Sequence, residues 1–301
     1  MKDVRQVTII EVGPRDGLQN EPAFVPTENK IELINSLSQT GLQYIEVTSF
    51  VSAKAIPQLA DNVDVFNGID KKEGIHYSAL VPNIRGMREA MEVGVKEIAI
   101  FTAASESFNA RNINCSIKES IARFAPVIEL AKIHHVPIRA YISCVLGCPY
   151  EGEIKPQQVA LVAEQLLDLG IDSLCLGDTI GVGTPKQTKA VIKTIAPLLP
   201  ANQLAMHFHD TYGQAIANIC ASLECGITHF DSAVAGLGGC PYALGATGNV
   251  ATEDVLYLMH GLGIETGVDI YKVVAAGDRI CKVLRKKNQS KVANALLANL
   301  G

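Results

Sequence analysis

The sequence predicts a (β/α)8 TIM barrel with a C-terminal helical extension. Three observations carry this. A phrase recurs in which a Gly closes a helix-period segment and a short apolar strand follows. Further apolar segments lie between its copies. The core palette is aliphatic: 48% hydrophobic residues, 5% aromatic and no Trp, which suits helices packed around a parallel sheet.

The recurring phrase reads Gly41-Leu-Gln-Tyr-Ile-Glu-Val, Gly94-Val-Lys-Glu-Ile-Ala-Ile, Gly170-Ile-Asp-Ser-Leu-Cys-Leu and Gly226-Ile-Thr-His-Phe-Asp-Ser. Each Gly can take the left-handed conformation that ends a helix. The intervening strand candidates are Val7–Val12, Ile75–Leu80, Val136–Ser143 and Leu204–His209. Helical patterns run over Thr27–Thr40, Asn83–Val93, Ile117–His134, Pro156–Leu169, Pro185–Leu198 and Gly213–Cys225. Thr27 reads as an N-cap and Thr184-Pro185 as a helix start. Strands alternating with helices mean a parallel sheet, and eight such units fit a closed barrel. An open doubly wound sheet is the alternative, but it usually shows a Gly-rich phosphate loop after its first strand. Here that position reads Glu11-Val-Gly-Pro-Arg-Asp-Gly-Leu-Gln-Asn20. The expected division is a catalytic barrel over 1–263 and a helical extension over 264–301 packed on it, with helices near Asp269–Arg285 and Ser290–Leu300.

A net charge of -5 argues against a nucleic-acid surface, which would show a basic patch or stripe. No apolar run reaches a membrane span's ~20 residues, and the start of the chain shows no signal-peptide core. The cytoplasm is the expected compartment. Eight Cys in a chain this size do not read as a disulfide framework. Cys144 and Cys148 have a zinc-compatible spacing but no second ligand pair in register.

In such a barrel the chemistry sits at the C-terminal ends of the strands. Arg15-Asp16, Glu46, Tyr141, Asp178, His207, His209 and the Gly236-Leu-Gly-Gly-Cys240 segment all fall there. Side chains alternate along a strand, so His207 and His209 point the same way. They can grip one metal, or be two hydrogen-bonded core histidines. Asp16 is the carboxylate partner to hand, and Asn249 can add an amide oxygen. This thiolate-free set suits Mg2+ or Mn2+, without excluding Zn2+ or Co2+. Glu46 in an apolar strand needs a partner, with Arg15 the candidate. Cys240 lies among Gly and Pro, an unusual place for a structural thiol. Arg15, Gln19, Tyr141 and Asp178 are the expected substrate contacts. Asp178 opens what reads as a tight strand-to-helix turn. Arg111 and Lys54 are candidate basic contacts for a phosphorylated ligand.

Val12-Gly-Pro-Arg-Asp-Gly-Leu-Gln-Asn-Glu21, Ile45-Glu-Val-Thr-Ser-Phe50, His207-Phe-His-Asp-Thr211 and Gly236-Leu-Gly-Gly-Cys-Pro-Tyr-Ala243 resemble the 3-hydroxy-3-methylglutaryl-CoA lyase family. The resemblance spans Val7 to about Tyr257. It implies a Mg2+ or Mn2+ site from Asp16, His207, His209 and Asn249. It implies catalytic roles for Arg15, Asp16, Glu46, His207 and Cys240, and cleavage of a small-molecule acyl-CoA to acetyl-CoA and acetoacetate. A homodimer through the C-terminal helices is expected. The His-x-His-Asp motif is shared with barrel synthases that condense acetyl-CoA with a 2-oxo acid. A lyase for a related 3-hydroxyacyl-CoA is the nearer alternative.

Overall fold

The structure is a computed structural model and describes residues 4–239 and 248–299. Eight parallel strands close into a barrel in sequence order: β1 (Thr8–Glu11), β2 (Tyr44–Ser49), β3 (His76–Leu80), β4 (Glu97–Ala103), β5 (Ile138–Ser143), β6 (Ser173–Asp178), β7 (Leu204–Phe208) and β8 (His229–Ser232). The seam pairs Thr8 with His229 and Glu11 with Ser232. Around them lie α1 (Thr27–Leu37), α2 (Asn62–Gly68), α3 (Ile84–Glu92), α4 (Glu106–Ile113), α5 (Ile117–Ile133), α6 (Pro156–Leu169), α7 (Pro185–Ile195), α8 (Ala215–Glu224) and α9 (Thr252–Gly261). The C-terminal helices are α10 (Ile270–Leu284) and α11 (Lys291–Ala298).

The four recurring glycines are left-handed, with φ between 82° at Gly94 and 98° at Gly41. At Gly41 an added Cβ would lie 2.1 Å from the Gly267 carbonyl oxygen, so the close approach also requires Gly. Thr27 departs from its expected role. Pro26 precedes the helix, and the Thr27 hydroxyl donates to Asp61 Oδ2 at 2.7 Å. α2 and α4 carry no strong periodic signal, being short and rich in polar residues. α4 is held by Ser105, whose hydroxyl accepts the Phe108 N–H at 3.1 Å.

Period-two alternation sorts the strand side chains. Ile9, Ile45, Ile138, Ile142, Met206 and Phe230 face the helices in the main core. Inside the barrel a smaller cluster of Ile10, Val12, Leu80, Ala99, Tyr141, Cys175 and Ala205 leaves room for charge. Glu46, Arg139, His207 and Asp231 share that inner parity with Tyr141 and Ile10, and all are buried.

Two carboxyls are buried on the outer side, Glu11 on β1 and Glu253 on α9. Burial, opposed by hydrogen bonds, pushes Glu253 from 4.5 up to about 8 and Glu11 up to about 7. A raised folded value means the folded chain binds the extra proton. That stabilisation is complete below about pH 4.5 and is lost as pH rises through 7 to 8. The expected result for Glu253→Gln is a flatter stability–pH curve between pH 5 and 8.5, because the carboxyl it removes adds a slope of at most about 1.4 kcal/mol per pH unit there. Urea midpoints across that range measure it; a slope unchanged from the parent would contradict it.

Candidate active site

At the C-terminal end of β1 the chain makes a wide single turn over Gly13–Gly17. The N–H groups of Arg15, Asp16 and Gly17 all approach the Val12 carbonyl, at 3.2, 2.7 and 3.2 Å. Such π-type turns occur often at functional sites. This one presents Arg15 and Asp16 to a cavity of about 670 Å3 in the barrel mouth. Tyr141, His207 and His209 line the same cavity.

The Asp16 carboxylate and one ring nitrogen each of His207 and His209 lie within 4.8 Å of one another. They are the only such group among the described residues. His207 Nδ1 sits 3.1 Å from Asp231 Oδ2, leaving Nε2 for the cavity. His209 Nδ1 is buried without a hydrogen-bond partner. Asn249 Nδ2 donates to Asp16 Oδ2 at 2.8 Å and to the Leu237 carbonyl at 3.1 Å. Two acceptors fix the amide orientation. Asn249 Oδ1 is thereby left buried and unpartnered. Buried polar atoms without partners are rare. A carboxylate, two imidazoles and orphaned N and O atoms converging here fit a hard divalent cation such as Mg2+ or Mn2+.

The charges agree. Burial and then the charge of His207 hold His209 at about 4, so it is neutral and able to ligate near pH 7. Burial works against ionised Asp16, but Arg15, His207 and His209 outweigh it and hold the carboxyl well below its usual range. Burial also disfavours the Arg15 cation; Glu46 and Asp16 outweigh that and keep it charged.

Glu46 has the partner its burial demands. Arg15 Nε donates to Glu46 Oε1, Arg15 Nη1 meets Asp16 Oδ1 at 2.6 Å, and the Tyr141 hydroxyl donates to Glu46 Oε2 at 2.9 Å. The Tyr141 ring has two guanidiniums near it, with Arg15 Cζ 5.6 Å and Arg139 Cζ 4.9 Å from its centroid. Arg139 and Asp231 carry no motif that marks them in the sequence. Arg139 Nη2 donates to Asp231 Oδ1 at 2.6 Å while the other oxygen meets His207. Asp231 thus orients the imidazole and selects its tautomer, a common outer partner of a metal-binding His. Replacing Asp231 by Asn is expected to weaken Mn2+ binding about 10–100-fold. Calorimetric titration of the metal-free protein measures this, and unchanged affinity would contradict the assignment.

The remaining candidates fall as follows. Gln19 lines the cavity, and its Oε1 is buried without a partner. Gly177 and Thr179 line the cavity on either side of Asp178. The Asp178 carboxylate itself accepts the N–H groups of Val182 at 3.2 Å and Gly183 at 2.9 Å. That makes it the staple of the strand-to-helix turn. Arg111 lies over the Tyr150 ring at 4.2 Å, and Lys54 is exposed. Arg123, which no sequence motif singles out, lines the cavity. Cys240 lies outside the described residues.

A closed (β/α)8 barrel with a carboxylate and two imidazoles that could hold a metal ion at the C-terminal ends of its strands defines a class of barrel enzyme. The HMGL-like family model matches residues 6–280, and the chain belongs to that family. A 3-hydroxy-3-isohexenylglutaryl-CoA/hydroxy-methylglutaryl-CoA lyase of Pseudomonas aeruginosa is 59% identical over 294 residues, 98% of each chain. A crystal structure of hydroxymethylglutaryl-CoA lyase from Pseudomonas aeruginosa superposes with a TM-score of 0.97 at 58% identity, covering 99% of this chain and 100% of the other. An HMG-CoA lyase from Acinetobacter baumannii, in complex with coenzyme A and 3-methylmalate, gives 0.93 at 38% identity over 96% and 95%. No helix among the described residues is long and apolar enough to cross a membrane.

Proposed function

We propose that this protein is a divalent-metal-dependent carbon–carbon lyase that cleaves 3-hydroxy-3-methylglutaryl-CoA to acetyl-CoA and acetoacetate. The observation that carries the reading is the Asp16, His207 and His209 group in one cavity with Arg15, which is held from behind by Glu46. Similarity to lyases of that name over nearly the full chain supports the substrate.

Asp16, His207, His209 and Asn249 would hold Mg2+ or Mn2+. When bound, the cation supplies Lewis acidity and a fixed anchor for oxygen ligands. Asp16 or His207 accepts the proton of the tertiary hydroxyl. The bond between C2 and C3 then breaks, the hydroxyl carbon becomes the ketone of acetoacetate, and the electron pair moves into the thioester enolate. Arg15 stabilises the oxygen on which that charge develops. Glu46 and Tyr141 hold the guanidinium in place. Cys240 delivers the proton to the enolate carbon. Gln19 contacts the substrate acid, with Asp178 shaping the wall behind it. The occupant is a small acyl-CoA, with no nucleic acid or membrane involved. The protein works as a homodimer in the cytoplasm, the latter in keeping with the free cysteines among the described residues.

One feature favours a broader acyl range. The β3–β4 side of the cavity is apolar, formed by Leu80, Pro82, Phe101 and Phe108. It gives a longer branch at C3 somewhere to lie, in keeping with the dual name of the Pseudomonas relative. Product analysis with 3-hydroxy-3-methylglutaryl-CoA, 3-hydroxy-3-isohexenylglutaryl-CoA, and acetyl-CoA plus a 2-oxo acid separates the readings. Acetoacetate from the first substrate is the expected result. Condensation with the third pair and no cleavage of the first would make it a synthase.

A further inference from the structure

We propose that Glu11 is a positioning residue that fixes the three segments carrying the site relative to one another, through hydrogen bonds to one buried carboxylate. Glu11 ends β1, faces away from the barrel interior and is fully buried. It is not among the residues that line the cavity. Its Oε1 accepts the Gly13 N–H at 2.8 Å and the Val234 N–H at 2.9 Å. Its Oε2 accepts the Thr252 hydroxyl at 2.7 Å. Gly13 opens the turn that presents Arg15 and Asp16. Val234 begins the irregular segment that leads through Gly239 to Cys240. Thr252 opens α9, three residues after Asn249.

None of these segments is a barrel strand. Backbone hydrogen bonds join two of them, the Ala233 N–H to the Val250 carbonyl and the Thr252 N–H to the Ala233 carbonyl, both at 3.0 Å. The turn over Gly13–Gly17 is joined to them by side-chain ties. On the cavity side the Asn249 amide makes one, bridging Asp16 and the Leu237 carbonyl. Glu11 makes the other from behind, to the same three segments. Local details show how closely the backbone is drawn in. A Cβ at Gly13 would stand 2.6 Å from Glu11 Oε1. Next to Val234 the chain turns left-handed at Ala235, with φ 58°, and at Gly236, with φ 62°. Both Glu253 oxygens receive the Ala235 N–H at 3.0 Å. The Thr252 hydroxyl also lies 2.8 Å from Ser232 Oγ on β8, which joins the tie to the sheet. Loosening such a scaffold by about 1 Å can cost on the order of 100-fold in rate.

The test compares Glu11→Leu, Glu11→Gln and Thr252→Val by kcat and KM, by Mn2+ affinity of the metal-free protein, and by thermal melting. Glu11→Leu is expected to lose about 100-fold in kcat and about tenfold in Mn2+ affinity, with KM nearly unchanged. Glu11→Gln is expected to restore both, because its oxygen still accepts two N–H groups and its NH2 can donate to Thr252. Thr252→Val breaks one tie and leaves the carboxylate, so kcat falls about tenfold without a matching loss of melting temperature. Wild-type kcat and Mn2+ affinity in Thr252→Val would overturn the proposal. So would a Glu11→Gln enzyme as impaired as Glu11→Leu, since the charge rather than the tie would then matter. If Glu11→Leu fails to fold, Thr252→Val decides alone. The kinetic arm rests on the lyase reading. The Mn2+ arm does not, so loss of one can be told from loss of the other.

Discussion

Arg15→Met is expected to lower kcat by about 10,000-fold, within the range seen when a cation facing transition-state charge is removed. KM for the acyl-CoA should change by no more than about threefold, because the charge Arg15 meets develops only during bond cleavage. Two effects combine. The enolate oxygen loses its counter-charge, and Glu46 is left with Tyr141 as its remaining partner. A buried carboxylate that loses its cation takes up a proton instead, which blunts the cost in stability. Arg15→Lys should recover little of the loss. A single ammonium cannot bond Glu46 through Nε and Asp16 through Nη1 as the guanidinium fork does. Steady-state kinetics with both variants measure the effect. An Arg15→Met enzyme within tenfold of the parent would remove Arg15 from the chemistry.

His209→Ala is the second large effect. It should weaken Mn2+ binding by more than the 10–100-fold typical of an outer partner such as Asp231. Cleavage should fall in step, recovering only in part at millimolar Mn2+. The imidazole has no other evident employment, since its Nδ1 is buried without a partner. Its neutral state near pH 7, with a value held at about 4, makes it a ligand and a poor base. Loss of activity with unchanged Mn2+ affinity would instead make it a substrate contact.

Much of this was legible in the sequence because barrels repeat. The Gly-then-strand phrase marks helix ends and strand starts together, and all four glycines are left-handed. The site was legible where a local rule applied. His207 and His209 share a face by alternation, and Glu46 needed a partner because an unpaired charge in an apolar strand is costly. The same argument applies to Glu11 in Thr-Ile-Ile-Glu, Arg139 in Ile-Arg-Ala-Tyr and Asp231 in His-Phe-Asp-Ser, and it would have found all three. Their partners it would not have found. Arg139 and Asp231 lie 92 residues apart and meet only because β5 and β8 face each other across the barrel. Glu11 and Thr252 are 241 residues apart and meet because β1 closes on β8. Asp178 shows the opposite limit. It ends its strand as expected, but the turn that follows folds two N–H groups onto its carboxylate. Position at a strand end does not say which way a loop's hydrogen bonds run.

In the proposed 3-hydroxy-3-methylglutaryl-CoA lyase, the Asp16, His207 and His209 cluster would hold the metal on which cleavage depends. The most direct measurement strips the protein of metal, titrates Mn2+ back, and follows bound metal and acetoacetate release together. One Mn2+ per chain, no cleavage before addition, and activity rising in proportion to occupancy are expected. Full cleavage by the metal-stripped protein, or stoichiometric Mn2+ binding without release of acetoacetate, would contradict this.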